Sequence, residues 1–449
     1  MELKSEKVEH GENPKTVRVV FFSLLLDLLA FTMILPLLPA ILDHYKQLDD
    51  KRGLYSLILE QIQRVQLYLN APDRVNSVLF GGCLGSLYSF MQFLGSPIIG
   101  ALSDVYGRRP VMLLCLIGIT SSYVLWALSH NFLIFVLARF IGGLSKGNIN
   151  LSMAIISDVT SSKTRGRAMA LVGIAFSIAF VVGPMIGALF AWNSSKSREG
   201  YWFAIPASFA LLLSIIDLLY IAYNLEESLP LKYRAKSLAS GIQDAIAYIN
   251  PMDLFQFNGV SGLTSHELHS LRVLGRCYFL YLFIYSGLEF TLTFLTHHFF
   301  GFTSMQQGWM FLGIGLTMAI LQGSWVRRIP SHKTKTVAEL GLWLIIPAFI
   351  CVGLAKDKLM LYLGVFLFAV STAMVVTCMM TLVTHTGPEN QKGIITGIFR
   401  SLGALARACG PIVTSIAFWS IGSTITYLIG AAALVIPPLI LRSIHFTQT

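Results

Sequence analysis

Apolar stretches of about twenty residues or more follow one another along most of this chain, separated by short polar segments. A run of that length is what a helix needs to cross about 30 Å of hydrocarbon. Twelve spans can be marked, at about 17–42, 76–102, 111–128, 132–157, 166–192, 201–223, 273–298, 304–326, 336–355, 359–384, 392–418 and 421–441. Helices are the expected form, because an open sheet edge cannot face lipid. Two connecting segments are long. In residues 43–75, Leu54, Ile58, Ile62, Val65 and Leu69 recur at helical spacing, which predicts a short amphipathic helix outside the membrane. In residues 224–272, Leu238, Ile242, Ile246 and Ile249 form a similar face, which predicts a helix lying along the cytosolic surface.

The pattern also repeats. GRAMALVGIAFSIAFVVGP starts at Gly166 and ends in Gly183-Pro184; GIITGIFRSLGALARACGP starts at Gly393 and ends in Gly410-Pro411, an offset of 227 residues. A weaker echo pairs AFT at 30–32 with EFT at 289–291. The expected fold class is therefore an all-α multi-pass membrane protein, with twelve transmembrane helices in two six-helix pseudo-symmetric bundles. Its divisions are an N-terminal tail (1–16), a first bundle (17–223, with the loop 43–75), an inter-bundle loop (224–272), a second bundle (273–441) and a C-terminal tail (442–449).

Composition agrees. Of 449 residues, 55% are hydrophobic and 12% charged, about half the charge of a soluble chain. The net charge of +10 does not predict nucleic-acid binding, because the basic residues sit in short loops beside apolar runs. Of 33 Lys and Arg, 20 fall at one side of the twelve spans, counting Arg18, Arg167, Arg276 and Lys392 at the span ends, 9 at the other and 4 deep inside them. The positive-inside rule then puts both termini in the cytosol. The N-terminal stretch is polar and the first apolar run is long enough to span, so no removable signal peptide is expected. All six cysteines lie in predicted spans, and no structural disulfide is expected. There is no nucleotide-binding loop and no zinc- or haem-ligand spacing, so no cofactor, metal or enzymatic activity is expected. His297-His298 reads as an interfacial pair, and Asn193-Ser194-Ser195 as a glycosylation sequon in an outside loop.

Four motifs carry a family resemblance. GALSDVYGRRP at 100–110 has Gly100 for close helix approach, Asp104 to cap or pair, Gly107 for the turn, and Arg108 and Arg109 to hold the cytosolic side. ARFIGGLSKGN holds Arg139 and Gly143; VVGPMIGA holds Gly183 and Pro184. RSLGALARA holds Arg400 and Arg407. Together they resemble the major facilitator superfamily, and more narrowly its drug:proton antiporter branch with the tetracycline-transporter-like members. The sequence departs from the family pattern at Val105, Pro110, Gly142 and Ala188. The resemblance implies a cavity lined by spans one, four, seven and ten, a cytosolic loop that latches helix ends, and exchange of small amphipathic organic molecules, organic anions among them, for protons.

Ionisable residues inside spans are rare and usually face a cavity or a partner. Here the candidates are Asp27, Arg139, Lys146, Asp217, Glu289, Arg400 and Arg407. Positions i, i+7, i+11 and i+18 share a helix face. That gives one stripe of Arg139, Lys146, Asn150 and Ser157 and another of Tyr278, Tyr285, Glu289 and Thr296. Asp27, Lys146, Glu289 and Arg407 fall near mid-span, whereas Asp217 lies toward the cytosol and reads as structural. Asp27 and Glu289 are the expected proton-coupling residues, since a desolvated carboxyl titrates nearer neutrality. Lys146, Arg400, Arg407, Asn150 and Tyr285 are the expected substrate-binding set. Phe31, Tyr88, Met91, Phe93, Tyr281 and Phe294 are candidate cavity walls. The expected partners are a small organic substrate, protons and membrane lipids, with a monomer in the plasma membrane or an endolysosomal membrane. An organic-acid uniporter or proton symporter, and a non-transporting receptor or lipid-handling protein on the same fold, remain alternatives.

Overall fold

A computed structural model describes residues 13–48, 53–69, 76–161, 164–194, 202–234, 249–260, 262–386 and 392–444. Its helices, in order, are α1 (Pro14–Thr32), α2 (Leu38–Leu48), α3 (Leu54–Leu69), α4 (Asn76–Tyr106), α5 (Arg108–Ala127), α6 (Phe132–Ser145), α7 (Asn148–Asp158), α8 (Arg165–Ser194) and α9 (Ala204–Asn224). They continue with α10 (Pro251–Gln256), α11 (Ser265–Phe300), α12 (Ser304–Ser324), α13 (Thr334–Leu354), α14 (Lys358–His385), α15 (Lys392–Ile421), α16 (Ser423–Ala433) and α17 (Ile436–Arg442). No strand occurs among the described residues. The side on which α1 begins and α17 ends is called here the terminal face, and the opposite side the far face.

Among the described residues, ten helical spans are long and apolar enough to cross a membrane; α6 and α7 together make one, as do α16 and α17. The other two expected spans are helical as well. α1 carries Lys15, Arg18 and Asp27, and α12 opens on Ser304, Gln306 and Gln307, which dilutes their apolar character. The amphipathic helix expected in the first long loop is present as α3. Of the face expected in the second loop, Leu238, Ile242 and Ile246 lie outside the described residues.

The sequence repeat has a packing counterpart. Gly183 of α8 sits against α1 so closely that a Cβ would fall 1.9 Å from Thr32 Oγ1. At Gly187 a Cβ would lie 2.1 Å from the Met33 carbonyl oxygen. In the second half, a Cβ on Gly410 of α15 would lie 2.3 Å from the carbonyl oxygen of Phe283 in α11. Each Gly-Pro element thus seats the fifth helix of its half on the first. Small residues allow this because association in lipid rests on close backbone approach.

Between the halves, α4 packs on α15 and α8 on α12. The polar links across α4 and α15 lie toward the far face. Trp419 Nε1 donates to Asn76 Oδ1 (2.7 Å), and the Ile412 amide donates to Ser86 Oγ (3.0 Å). Two histidines add to this side. His297 Nε2 lies 3.0 Å from Asp43 Oδ2, and His298 Nε2 lies 2.7 Å from Ser77 Oγ. The two histidines expected to be interfacial therefore join the halves. On adjacent positions of α11 they point to different neighbours, and both neighbours belong to the first half.

Candidate functional site

Span four is not one helix. α6 ends at Ser145, and α7 starts at Asn148. The intervening Lys146 has φ −76° and ψ 18°, and its amide bonds to the Gly143 carbonyl rather than continuing the α ladder. Gly147 lets this break press against α4, where a Cβ would lie 2.5 Å from Ile99. At the break, Lys146 Nζ donates to both oxygens of Asp27 at 2.7 Å. Asn148 Nδ2 donates to Asp27 Oδ2, also at 2.7 Å. Asp27 and Lys146 are each 2% exposed, so this is a desolvated ion pair with an amide as third member.

The break explains where the helical-face arithmetic holds and fails. Arg139 precedes it and stands over the Tyr88 ring at 4.4 Å. Tyr88 stacks on Phe31 (centroids 5.3 Å apart), and Lys146 lies 4.9 Å above that ring. Past the break the register shifts. Asn150, expected beside Lys146, is exposed, and Asn148 takes the polar role. Asn148 is the residue the stripe missed; the glycine after Lys146 was the available signal that the helix would not run through.

The second half carries its own cluster. Tyr285 Oη donates to Glu289 Oε1 (3.2 Å), and Thr372 Oγ1 donates to Tyr285 Oη (3.4 Å). Tyr285 is buried between Tyr281 and Phe368. In this structure it is buried and donates to Glu289. Arg407 acts electrostatically on Glu289, and both Arg400 and Arg407 act on Tyr278. Arg407 is exposed, whereas Arg400 is half-buried, with an Nη1 that has no hydrogen-bond partner among the described residues. Lys146 is occupied by Asp27, and among the described residues it makes no contact with Arg400 or Arg407, so the basic residues form two sites in this conformation. Of the expected walls, Phe31 and Tyr88 border the first cluster, whereas Phe93, Tyr281 and Phe294 belong to the core.

At the terminal face the α4–α5 turn is tied in. Gly107 adopts φ +104°, a left-handed value that favours glycine. Arg108 donates to Asp104 Oδ1 (2.6 Å), Ser103 Oγ (2.6 Å) and Asp158 Oδ2 at the end of α7 (3.0 Å). The Arg108 and Arg109 amides donate to Glu227 (2.8 and 3.2 Å), and Arg109 Nη2 donates to the Ala222 carbonyl (2.7 Å). Gly100 differs from expectation. Nothing lies within 4 Å of where its Cβ would be, so it makes no close helix approach here.

This arrangement can be set beside known proteins. The profile of the Major Facilitator Superfamily matches residues 20–411. The chain belongs to this superfamily. It is 43% identical to human Major facilitator superfamily domain-containing protein 10 over 445 residues, covering 97% of this chain and 95% of that protein. The crystal structure of the human organic anion transporter MFSD10 (TETRAN) matches with a TM-score of 0.79 and 43% identity, over 96% of this chain and 100% of that one. The class B tetracycline resistance protein of Escherichia coli is 23% identical over 405 residues, 90% of this chain and 88% of that protein. The protein is a major facilitator transporter, not an enzyme, and its resemblance to tetracycline-transporter-like members holds over the whole chain.

Within that family frame, the turn at 100–110 and the Gly183-Pro184 element both act inside the first half. The turn ties α4, α5 and α7 to the end of α9 and the segment after it. The proline-containing helix is held by Thr32 Oγ1, which donates to the Ala179 carbonyl (2.8 Å). Asn193 falls in the last turn of α8 and not in a loop. All six cysteines are free.

Proposed function

We propose that this transporter moves small amphipathic organic molecules, organic anions or drug-like compounds, by proton-coupled alternating access, with exchange against protons driving export. The observation that carries the proposal is the buried Asp27–Lys146 pair at the broken helix. A proton arriving on Asp27 dissolves the pair and leaves an ammonium that needs an anion. A buried base deprived of its partner is costly, by about 3–5 kcal/mol, so substrate binding and protonation become linked at one residue. Glu289, held by Tyr285 beside Arg407, is the second proton-carrying group of the proposal. The open hydrogen-bonding capacity of Arg400, with Arg407 exposed near it, suits a carboxylate or sulfonate head group. That the human relative is an organic anion transporter supports this class.

In this reading residues 17–223 and 273–441 are the two bodies that rock, and 224–272 links them. The 20 Lys and Arg on the terminal side against 9 on the far side support a cytosolic position for both termini. The far-face links then make this the conformation closed to the outside. The protein works as a monomer surrounded by lipid, in the plasma membrane or an endolysosomal membrane. The test is purified protein in liposomes, with flux of radiolabelled aryl carboxylates measured with and without an imposed pH gradient. Gradient-driven accumulation that Asp27→Asn and Glu289→Gln each abolish, without loss of folded protein, is the expected result. Equal flux with and without the gradient would show a uniporter, and absence of flux for every substrate would favour a receptor.

A further inference from the structure

Asp217 of α9 is 0% exposed, and neither of its carboxylate oxygens has a hydrogen-bond partner among the described residues. From sequence it reads as a structural residue outside the cavity. The structure gives it a different neighbourhood. Across the α1–α9 contact it faces Ser23, and the charges acting on it are those of Asp27 and Lys146. Ser23 is also fully buried, with an unpartnered hydroxyl oxygen. It precedes Asp27 by four residues, hence shares its helix face and lies about 6 Å closer to the terminal face. The hydroxyl thus faces Asp217 and lies one helical turn from Asp27.

The groups around Asp217 can be named element by element. α1 presents Ser23 and Asp27, and Lys146 at the α6–α7 break acts from behind Asp27. From α5, Tyr123 feels both carboxyls. On α9 itself Tyr220 lies one turn nearer the terminal face and is acted on by both Asp217 and Arg18. α8, which also touches α9, has no ionisable residue between Met169 and Ser194. Two carboxyls therefore share one ammonium. Lys146 binds Asp27 in a two-pronged contact, and Asp217 is left without a cation of its own, facing only the Ser23 hydroxyl. A buried carboxylate in that position is prohibitively costly as an ion, so the cluster holds one proton beyond the ion pair.

We propose that Asp217 is a third proton-carrying residue of the transporter, which stores that proton and passes it to Asp27 through the Ser23 hydroxyl. The step conserves atoms and charge. The Asp217 O–H bond breaks and its proton goes to Ser23 Oγ, while the Ser23 proton goes to an oxygen of Asp27. As its own proton leaves, Asp217 takes another from the aqueous terminal face, past Tyr220 and Arg18, so it is not left ionised. Asp27 becomes a neutral acid, and the Lys146 ammonium is released toward an anionic substrate. This inference rests on the proton-coupled reading above.

The test uses the full-length protein in liposomes with radiolabelled p-aminohippurate as the first aryl carboxylate probe. Two quantities are measured: accumulation driven by a pH gradient, and counterflow exchange of labelled for unlabelled probe at equal pH. Asp217→Asn keeps the shape and cannot carry the proton. It is expected to lower driven accumulation at least about tenfold while counterflow stays within twofold of the unaltered protein. Asp217→Glu should restore part of the driven flux, which a packing role does not predict. Ser23→Ala, which removes only a hydroxyl, should show the same split and serves where Asp217→Asn does not fold. Driven accumulation within twofold of the unaltered protein in both Asp217→Asn and Ser23→Ala would overturn the proposal. Loss of counterflow to the same extent as driven flux would overturn it too. If the unaltered protein shows no gradient dependence, the proton-coupled reading falls first and this inference with it, a result that does not depend on either variant.

Discussion

At the residue scale the pair of Asp27 and Lys146 dominates the first half, and its value is conditional. Two desolvated charges in close contact roughly offset their own desolvation, so the pair adds little net stability. Removing one member alone is a different matter. Lys146→Met is expected to destabilise the folded protein by about 3–5 kcal/mol, because Asp27 keeps its buried charge with only Asn148 to donate to it. The double variant Asp27→Asn with Lys146→Met should regain most of that loss. A fluorescence-detected melt in detergent checks this, and a double variant no more stable than the single one would contradict the coupling. For Tyr285, Tyr285→Phe removes the donor to Glu289 without altering the stack on Phe368. It should change the pH dependence of driven flux while leaving the melt within about 0.5–1.5 kcal/mol.

At the element scale, glycines decide how closely the helices of a half approach one another. Gly187→Ala places a methyl group 2.1 Å from the backbone oxygen of Met33, which no rotamer change can relieve. Separation of α1 from α8 is the expected response, with a loss of about 1–3 kcal/mol read as a lowered melting midpoint. Gly100→Ala meets open space and should leave that midpoint unchanged within error. The contrast is useful because both glycines sit in elements that look alike in sequence. The break between α6 and α7 belongs to this scale too. Gly147→Leu would push against Ile99 of α4 and displace Lys146 from Asp27, so driven flux should fall sharply even though no charge is removed.

At the scale of the whole molecule, the two halves are fastened at the far face by Asp43 with His297, Ser77 with His298 and Asn76 with Trp419. The His297–Asp43 link is ionic only while the imidazole is protonated. Asp43→Asn combined with Trp419→Phe removes two of these links at sites remote from the central charges. The population should shift toward a far-face-open state. Ser77→Cys, which keeps a small side chain at the contact with His298, should then react faster with a membrane-impermeant maleimide added from that side. An unchanged labelling rate would mean that these links do not set the balance between states.

Much of this architecture was legible in the sequence. The spans, the 227-residue repeat, the Gly-Pro elements and the presence of charges inside apolar runs all follow from period, length and hydropathy, because a bilayer leaves helices few alternatives. Pairing Asp27 with Lys146 was legible as well, since both fall near mid-span on helices expected to line one cavity. What tertiary structure decided is finer. Helical-face arithmetic assumes an unbroken helix, and the break at Lys146-Gly147 moved the polar role from Asn150 to Asn148. Whether His297 and His298 met lipid headgroups or the other half depended on how the halves close, which no local pattern encodes. Asp217 looked peripheral because span position records depth alone. Only the packing of α9 on α1 brought its carboxyl to Ser23, within the field of the pair that the sequence had already marked.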